Sequence, residues 1–134
     1  MLDVLLADDD ADVREFIAAA LINAGHQVTE ASDGEKAAEL LSTHVFDLAI
    51  CDVQMPKLDG LVLFRRIRRE SPQTAVVLMT SFAKLADVID AMRGGALDYV
   101  TKPFDADDFA QRVVAPIEER RRRAGVGRFA HLLP

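Results

Sequence analysis

The chain has 134 residues, half of them apolar, and a formal net charge of −6. This length is typical of one domain with its own core, and the 7 Gly and 5 Pro are too few for a low-complexity chain. No apolar run approaches the ~18 residues needed to cross a bilayer, and the acidic balance argues against direct nucleic-acid binding. The single cysteine, Cys51, excludes a disulfide framework and a cysteine zinc cluster, and it favours a cytoplasmic location.

The charge is unevenly distributed along the chain. Residues 1–64 carry 3 Lys/Arg against 13 Asp/Glu, whereas residues 65–134 carry 13 against 9. The acidic surplus of the first half is therefore either solvated surface or part of a site.

Five short apolar runs alternate with amphipathic segments, which predicts repeated β-α units and a parallel sheet within one continuous domain. The predicted strands are residues 4–7, 27–31, 48–51, 76–79 and 99–101. The first, third and fourth are apolar throughout, as in strands covered on both faces, while the second and fifth contain polar residues typical of edge strands. Right-handed crossovers arrange such units as a three-layer α/β/α sandwich.

The predicted helices follow from apolar stripes at helical spacing. The first helix has a stripe from Val13 to Ala24, a capping box formed by Asp12 and Glu15, and a stop at Gly25. The second is capped by Asp33 and runs to about Thr43. The apolar positions expected to face the core in the other three helices are Leu61, Phe64 and Ile67, then Leu85, Val88, Ile89 and Met92, and finally Phe109, Val113 and Ile117.

Pro116 interrupts the last of these stripes. A proline inside a helix removes one backbone hydrogen bond, and its ring clashes with the carbonyl four residues earlier, here that of Arg112. The sequence predicts a kink at this point, with a helix end at Ala115 as the alternative.

Polar side chains collect where the predicted strands end. Asp8, Asp9 and Asp10 follow the first strand, Asp52 ends the third, Thr80 ends the fourth, and Lys102 follows the fifth. In open parallel α/β sheets, ligands bind beyond the carboxyl ends of the strands. Carboxylates gathered there repel one another unless a cation joins them, and Mg²⁺ with its preference for oxygen ligands meets this need.

A carboxylate beside a metal ion, a lysine and a hydroxyl is equipped for phosphoryl transfer. The carboxylate attacks the phosphorus, while the metal ion and the ammonium group neutralise charge on the transferring oxygens. Asp52 is hard to explain as ordinary solvated surface, because an unpaired charge at the end of an apolar strand is costly.

Four segments in this order resemble the receiver domain of two-component response regulators. They are Leu5–Asp10 (LLADDD), Cys51–Pro56 (CDVQMP) followed by Asp59 and Gly60, Met79–Ser81 (MTS), and Asp98–Phe104 (DYVTKPF). Each motif alone is weak, but the resemblance covers about residues 2–123. It implies a flavodoxin-like five-stranded parallel sheet of strand order 2-1-3-4-5, and a receiver domain over residues 1–123.

The resemblance implies a role for each site residue. Asp52 would accept the phosphoryl group, and Mg²⁺ would bind Asp8, Asp9, Asp52 and the backbone carbonyl of Gln54. Lys102 would pair with the phosphoryl oxygens. Thr80 would move to hydrogen-bond one of them, and Tyr99 would turn inward with it. Asp10 would lie outside the metal shell and cap the first helix, and the Lys102–Pro103 bond would be cis.

The same resemblance implies the partners. A sensor histidine kinase or phosphotransfer protein would supply the phosphoryl group, and the fourth helix, fifth strand and fifth helix would form a phosphorylation-linked homodimer. The chain would be a signalling receiver rather than an enzyme, and it would bind neither a membrane nor nucleic acid directly. Residues 124–134 match nothing in the receiver pattern, so they are either a C-terminal tail or part of a linker to an output domain.

Two further function classes compete with this interpretation. An aspartyl phosphohydrolase usually has a second Asp two residues after its nucleophile, where this chain has Gln54. A pseudo-receiver would act as an interaction module without phosphorylation, although this chain has every residue that the phosphorylation chemistry requires. In the family, the residues at the positions of Gln54 and Phe82 flank the water that hydrolyses the aspartyl phosphate, and the apolar Phe82 predicts slow self-dephosphorylation.

Overall fold

The computed structural model describes residues 1–129, with the backbone alone for residue 106 and residues 124–129. Five strands alternate with helices along the chain, and the final helical segment has three parts. The strands are β1 (Asp3–Ala7), β2 (Gln27–Ala31), β3 (Leu48–Asp52), β4 (Ala75–Thr80) and β5 (Asp98–Thr101). The helices are α1 (Ala11–Asn23), α2 (Gly34–Thr43), α3 (Gly60–Glu70), α4 (Leu85–Arg93), α5 (Ala106–Phe109), a π-helical turn (Ala110–Val114) and α6 (Ala115–Phe129).

All neighbouring strands pair in parallel, and the order across the sheet is β2-β1-β3-β4-β5. The expected fold and the expected edge positions of the second and fifth strands are therefore confirmed. β3 lies at the centre and is buried along its whole length, as continuous apolar runs require of strands covered on both faces.

Two apolar clusters lie on opposite faces of this sheet and fill the two interfaces between the layers of a three-layer sandwich. One joins the sheet to α2, α3 and α4 through residues such as Ala37, Leu63 and Ala91. The other joins it to α1 and the final helical segment through residues such as Ile17 and Val113. The sheet is thus shielded on both sides, and polar groups can gather only at its ends.

The N-cap of helix α1 lies two residues before the N-cap of the predicted capping box. Its N-cap is Asp10, whose side chain accepts hydrogen bonds from the backbone N–H groups of Asp12 and Val13. The predicted box of Asp12 and Glu15 is therefore wrong, because Asp12 already lies inside the first turn. The expected capping roles of Asp10 and Asp33 are both confirmed.

The predicted core stripe of the fourth helix is wrong. In α4 the buried residue is Ala91, whereas Leu85 is 75% exposed, Met92 45% and Ile89 39%. The small Ala91 faces the sheet, and the larger apolar side chains lie towards solvent. In α1, Phe16 belongs to the predicted stripe yet is also exposed, while Ile17 and Leu21 are buried as expected.

Pro116 lies in the first turn of α6, and the final helical segment continues beyond it. A π-helical turn precedes it, and the N–H of Ala115 donates to the carbonyl of Ala110, five residues earlier. This wider turn comes immediately before the residue that lacks an N–H donor, so the helical chain continues into α6. Among the helices of residues 1–129, none is both long enough and apolar enough to span a membrane.

Gly60 allows α3 to begin directly against the end of β3. A Cβ atom built on Gly60 would lie 2.0 Å from the backbone oxygen of Asp52, so no larger residue fits without moving one of the two segments. The Gly60 N–H also donates to the carbonyl of Val53 at 2.9 Å. The segment that carries Asp52 is therefore held tightly by the loop and helix that follow it.

Candidate functional site

The strand register brings the predicted site residues to one edge of the sheet. Ala7 of β1 pairs with Cys51 of β3, so the next residues along these strands, Asp8 and Asp52, lie at the same level. On the other side of β3, Asp52 pairs with Met79, the residue before Thr80. Lys102 follows β5, and its N–H donates to the carbonyl of Thr80 at 2.7 Å.

The Lys102 ammonium group joins the two carboxylates. Its Nζ lies 2.5 Å from Asp8 Oδ2 and 2.9 Å from Asp52 Oδ2. The Asp8 side chain is fully buried, and those of Asp52 and Lys102 are only 8% and 15% exposed. Burial alone would lower the pKa of Lys102, but the hydrogen bonds that it donates to Asp8 and Asp52 outweigh this effect and hold the pKa above its usual value.

The remaining oxygens of these carboxylates are held by the backbone. Asp8 Oδ1 accepts from the Asp10 N–H at 2.9 Å, and Asp52 Oδ1 accepts from the Gln54 N–H at 3.0 Å. The predicted contribution of Gln54 to the site is through its carbonyl, and the structure places its N–H on Asp52. Each buried carboxylate thus has one oxygen on a backbone amide and one on Lys102.

Asp9 completes a set of three carboxylates. Asp8, Asp9 and Asp52 each offer an oxygen, and these oxygens all lie within 4.8 Å of one another. Asp9 is exposed at the mouth of the site while the other two are buried. Carboxylate oxygens converging from the ends of two strands fit the ligand preference of Mg²⁺, and the exposed Asp9 side is accessible to water.

The Thr80 hydroxyl is engaged locally. It accepts from the Phe82 N–H at 3.1 Å and donates to the Phe82 carbonyl at 3.2 Å. Thr80 is fully buried, whereas the Phe82 side chain is 67% exposed. The hydroxyl would have to leave both backbone partners before it could bond to a group on Asp52.

Tyr99 lies half-buried against the cluster that joins the sheet to α2, α3 and α4. Burial raises the pKa of its phenol, and the nearby carboxylates of Asp87, Asp59 and Asp52 raise it further. The Tyr99 phenol therefore stays protonated and neutral, and its ring lies on the face of the sheet that α4 covers.

Neither Cys51 nor the described histidines belong to the site. Burial, aided by the adjacent Asp52 carboxylate, raises the pKa of the Cys51 thiol to about 12, so it remains an unreactive core residue. His26 accepts from the Leu2 N–H, and His44 pairs with Asp3, at the opposite end of the sheet. His131, also assigned no site, lies outside the described residues.

The sequence interpretation did not include Arg14, although it contacts the site. Its Nη1 donates to the backbone carbonyl of Asp8 at 2.7 Å. The sequence does single out Arg14 in one respect, because it is one of only three Lys/Arg residues in the acidic half of the chain, residues 1–64. The cis peptide bond expected between Lys102 and Pro103 is present.

With this geometry, the comparison with known proteins is decisive. The family described as the response regulator receiver domain matches residues 4–114. The chain belongs to this family. The matched region, residues 4–114, lies within the predicted receiver domain, residues 1–123.

Similar proteins are found among curated sequences and solved structures. The chain is 36% identical over 107 residues to the transcriptional regulatory protein ZraR of Escherichia coli, covering 80% of this chain and 24% of ZraR. It is 36% identical over 121 residues to the probable transcriptional regulator ycf27 of Guillardia theta, covering 90% of this chain and 47% of that protein. The receiver domain of the Francisella response regulator 1452 superposes with a TM-score of 0.81 at 32% identity, covering 90% of this chain and 99% of that one.

Membership in the family establishes the general role of the domain. Receiver domains are signalling modules of two-component response regulators rather than enzymes in the usual sense, they interact with histidine kinases, and they generally use Mg²⁺ at an acidic pocket. The chain spans about a quarter to a half of the curated relatives named above. The similarity to these relatives is thus limited to a single domain of each.

We predict that Lys102→Met destabilises the domain by about 3 kcal/mol in EDTA, because it leaves two buried carboxylates without their cation. Mg²⁺ should restore more stability to this variant than to the wild type, since no ammonium group then competes for the same oxygens. Urea unfolding followed by circular dichroism, across a Mg²⁺ series, measures both effects.

Lys57→Met is the matched control for this experiment. Lys57 pairs with Asp33 at 3.6 Å but is 61% exposed, so its loss should cost less than about 1 kcal/mol. If Lys102→Met in EDTA were as stable as Lys57→Met, the bridge would not hold the two strand ends together.

Proposed function

We propose that this chain is a phosphorylation-dependent receiver that accepts a phosphoryl group on Asp52 from a partner histidine kinase or phosphotransfer protein. Mg²⁺ would be held by Asp8, Asp9, Asp52 and the backbone carbonyl of Gln54. The phosphorylated domain would change conformation and thereby control an output domain or a partner protein. The observation that carries the proposal is the Lys102 ammonium group bonded to both Asp8 and Asp52.

This bridge favours phosphoryl transfer over a purely structural role. A structural ion pair needs one carboxylate for one ammonium group, whereas Lys102 binds two carboxylates here and a third, that of Asp9, lies close to both of them. The two negative charges in excess are costly at a partly buried edge unless a divalent cation binds there. A site of this composition, open on the Asp9 side, is therefore suited to a cation and a phosphoryl group together.

The reaction forms one bond and breaks one. A carboxylate oxygen of Asp52 attacks the phosphorus of a phosphohistidine, the P–O bond forms, and the P–N bond to the imidazole breaks. The imidazole leaves with the electron pair of that bond and takes up a proton. Bound Mg²⁺ would supply charge neutralisation for the transferring oxygens, and Lys102 would move from the Asp52 carboxylate to the phosphoryl oxygens.

The switch proposed for Thr80 and Tyr99 depends on local bonds. The Thr80 hydroxyl exchanges two hydrogen bonds with the Phe82 backbone for one with a phosphoryl oxygen. Bonds to a charged acceptor are roughly twice as strong as neutral ones, which makes the exchange feasible. Release of the Phe82 backbone frees the segment leading into α4, and the half-buried Tyr99 ring can occupy the space that Thr80 leaves.

The face formed by α4, β5 and the final helical segment is the proposed output surface. Leu85, Ile89 and Met92 are exposed along α4, and charged residues of both signs surround them, including Asp90 and Arg93. An apolar stripe bordered by mixed charges is suited to pairing with a second copy of the chain. The proposed homodimer would form when phosphorylation shifts α4.

We predict that incubation with Mg²⁺ and acetyl phosphate adds one phosphoryl group to the chain, measured by intact mass. Asp52→Asn should abolish this gain, because an amide oxygen is a poor nucleophile and the metal site loses a ligand. Steady phosphate release without a mass gain would instead indicate a phosphohydrolase. No reaction by a folded, Mg²⁺-binding protein would favour a pseudo-receiver.

Asp59→Asn is the control for the nucleophile assignment. Asp59 lies in the same β3–α3 region and caps α3 through the Leu61 N–H. Asparagine caps helices as well as aspartate does, so this variant should fold and should be phosphorylated normally.

The aspartyl phosphate is predicted to hydrolyse slowly, with a half-life well beyond seconds at neutral pH. Phe82 cannot hydrogen-bond to an attacking water, whereas Phe82→Glu introduces a carboxylate that can and should shorten the half-life several-fold. Loss of the phosphoryl mass with time measures both. Val45→Glu introduces the same charge at an exposed position far from Thr80 and should leave the half-life unchanged. A half-life of seconds in the wild type would contradict the prediction.

Beryllofluoride, a phosphoryl mimic, is predicted to double the sedimenting mass of the wild type. Ile89→Asp should keep the protein monomeric, because it places a charge within the apolar stripe of α4. Ile22→Asp is the matched control, since Ile22 is a 58% exposed residue of α1, and it should still dimerise. An unchanged mass with beryllofluoride bound would exclude the proposed homodimer.

A further inference from the structure

Asp8 is held by four hydrogen-bond partners, which come from β2, from the segment after β1, from Lys102 and from α1. It is fully buried, its N–H donates to the Ala31 carbonyl at 3.1 Å, and its carboxylate accepts from Asp10 and Lys102. The fourth partner is Arg14, whose Nη1 donates to the Asp8 carbonyl at 2.7 Å. Arg14 is thus the side chain that satisfies the buried backbone oxygen of a proposed metal ligand.

Arg14 is itself fixed from a second direction. Its side chain is only 17% exposed, and its Nε lies 3.4 Å from Glu30 Oε1 on β2. Glu30 directly precedes Ala31, whose carbonyl accepts the Asp8 N–H. Because the donors of a guanidinium group lie in one rigid plane, pairing Nε with Glu30 orients Nη1 towards Asp8.

This arrangement determines where Asp9 points. The Asp8 carbonyl and the Asp9 N–H belong to one planar peptide unit, so fixing the carbonyl fixes the direction in which the chain enters Asp9. Among the described residues, the Asp9 carboxylate has no hydrogen bond or ion pair. Its approach to Asp8 and Asp52 therefore depends on the backbone, and the backbone there is oriented by Arg14.

We propose that Arg14 is a positioning residue for the metal site: by holding the Asp8–Asp9 peptide, it makes the three carboxylates converge on one cation. Arg14 does not touch the cation, and its charge is offset by Glu30. The inference rests on the function proposed above, because it assigns a role within the same site.

Arg121 provides a chemically matched control. Its guanidinium group also donates to backbone carbonyls, those of Asp47 at 3.0 Å and Gln73 at 3.1 Å, and it also pairs with a carboxylate, that of Asp47. These contacts lie before β3 and β4, at the opposite end of the sheet from Asp52. A general loss of stability should affect both variants, whereas a loss of positioning should affect Arg14 alone.

The test is the Mg²⁺ affinity of Arg14→Gln and Arg121→Gln, measured by amide NMR titration of the full chain. Removing a group that orients a metal ligand typically weakens binding by about 10-fold or more, and we expect this for Arg14→Gln. We expect Arg121→Gln to bind Mg²⁺ as the wild type does. Equal affinities of the two folded variants would overturn the inference.

A second measurement separates positioning from structural damage. The rate of phosphorylation by acetyl phosphate, followed against Mg²⁺ concentration, should show a raised half-saturation point for Arg14→Gln and a plateau close to that of the wild type. A lowered plateau at unchanged half-saturation would overturn the inference, since the metal site would then be intact.

Glu30→Gln keeps the test decisive if Arg14→Gln does not fold. It leaves Arg14 in place but weakens its orientation, so we expect a smaller loss of Mg²⁺ affinity, and an unchanged affinity would overturn the inference. A wild-type chain that neither binds Mg²⁺ nor gains a phosphoryl group would instead overturn the proposed function. Normal wild-type behaviour with unaffected Arg14 and Glu30 variants rejects the positioning role alone.

Discussion

The contact of Lys102 with Asp8 and Asp52 is the interaction on which the rest of the site depends. Each partner comes from the end of a different strand, β1, β3 or β5, so the bridge exists only if the whole sheet has its observed order and register. Two buried carboxylates side by side repel strongly, and the ammonium group between them makes that proximity stable before any metal binds. The sheet thus creates the site, and the bridge in turn stabilises the edge of the sheet.

A switch requires a second arrangement of similar free energy, and the structure contains its elements. Both hydrogen bonds of the Thr80 hydroxyl go to the backbone of Phe82. Because Phe82 is an exposed residue, water can replace the hydroxyl there when Thr80 changes partners. Helix α4 is anchored by one buried residue, Ala91, and its larger apolar side chains already face solvent. A helix held so lightly can move at low free-energy cost, as the proposed signal from Asp52 to a distant surface requires.

The positions of the site residues could be predicted from the sequence because one rule of sheet geometry determines them. Parallel strands must end at the same edge, so Asp8, Asp52, Thr80 and Lys102 could be placed together before any coordinates were known. Helical periodicity says less, because it identifies which residues share a face but not which face is buried. In α4 periodicity alone therefore predicts that Leu85, Val88, Ile89 and Met92 face the core, whereas the buried residue is Ala91. Arg14 was missed because its role arises from two contacts distant in the chain.

The charges of the site account for part of the acidic surplus in the first half of the chain. Asp8, Asp9 and Asp52 carry three negative charges and Lys102 carries one positive charge, which leaves an excess that one divalent cation neutralises. Arg14 adds nothing to this balance, because Glu30 offsets its charge, and it can therefore orient Asp8 without weakening cation binding. In the proposed function, phosphorylation would replace the single charge of Asp52 with about −2. The site would then become negative again, and the Thr80 hydroxyl, once released from the Phe82 backbone, is the donor proposed to bond to the added oxygens.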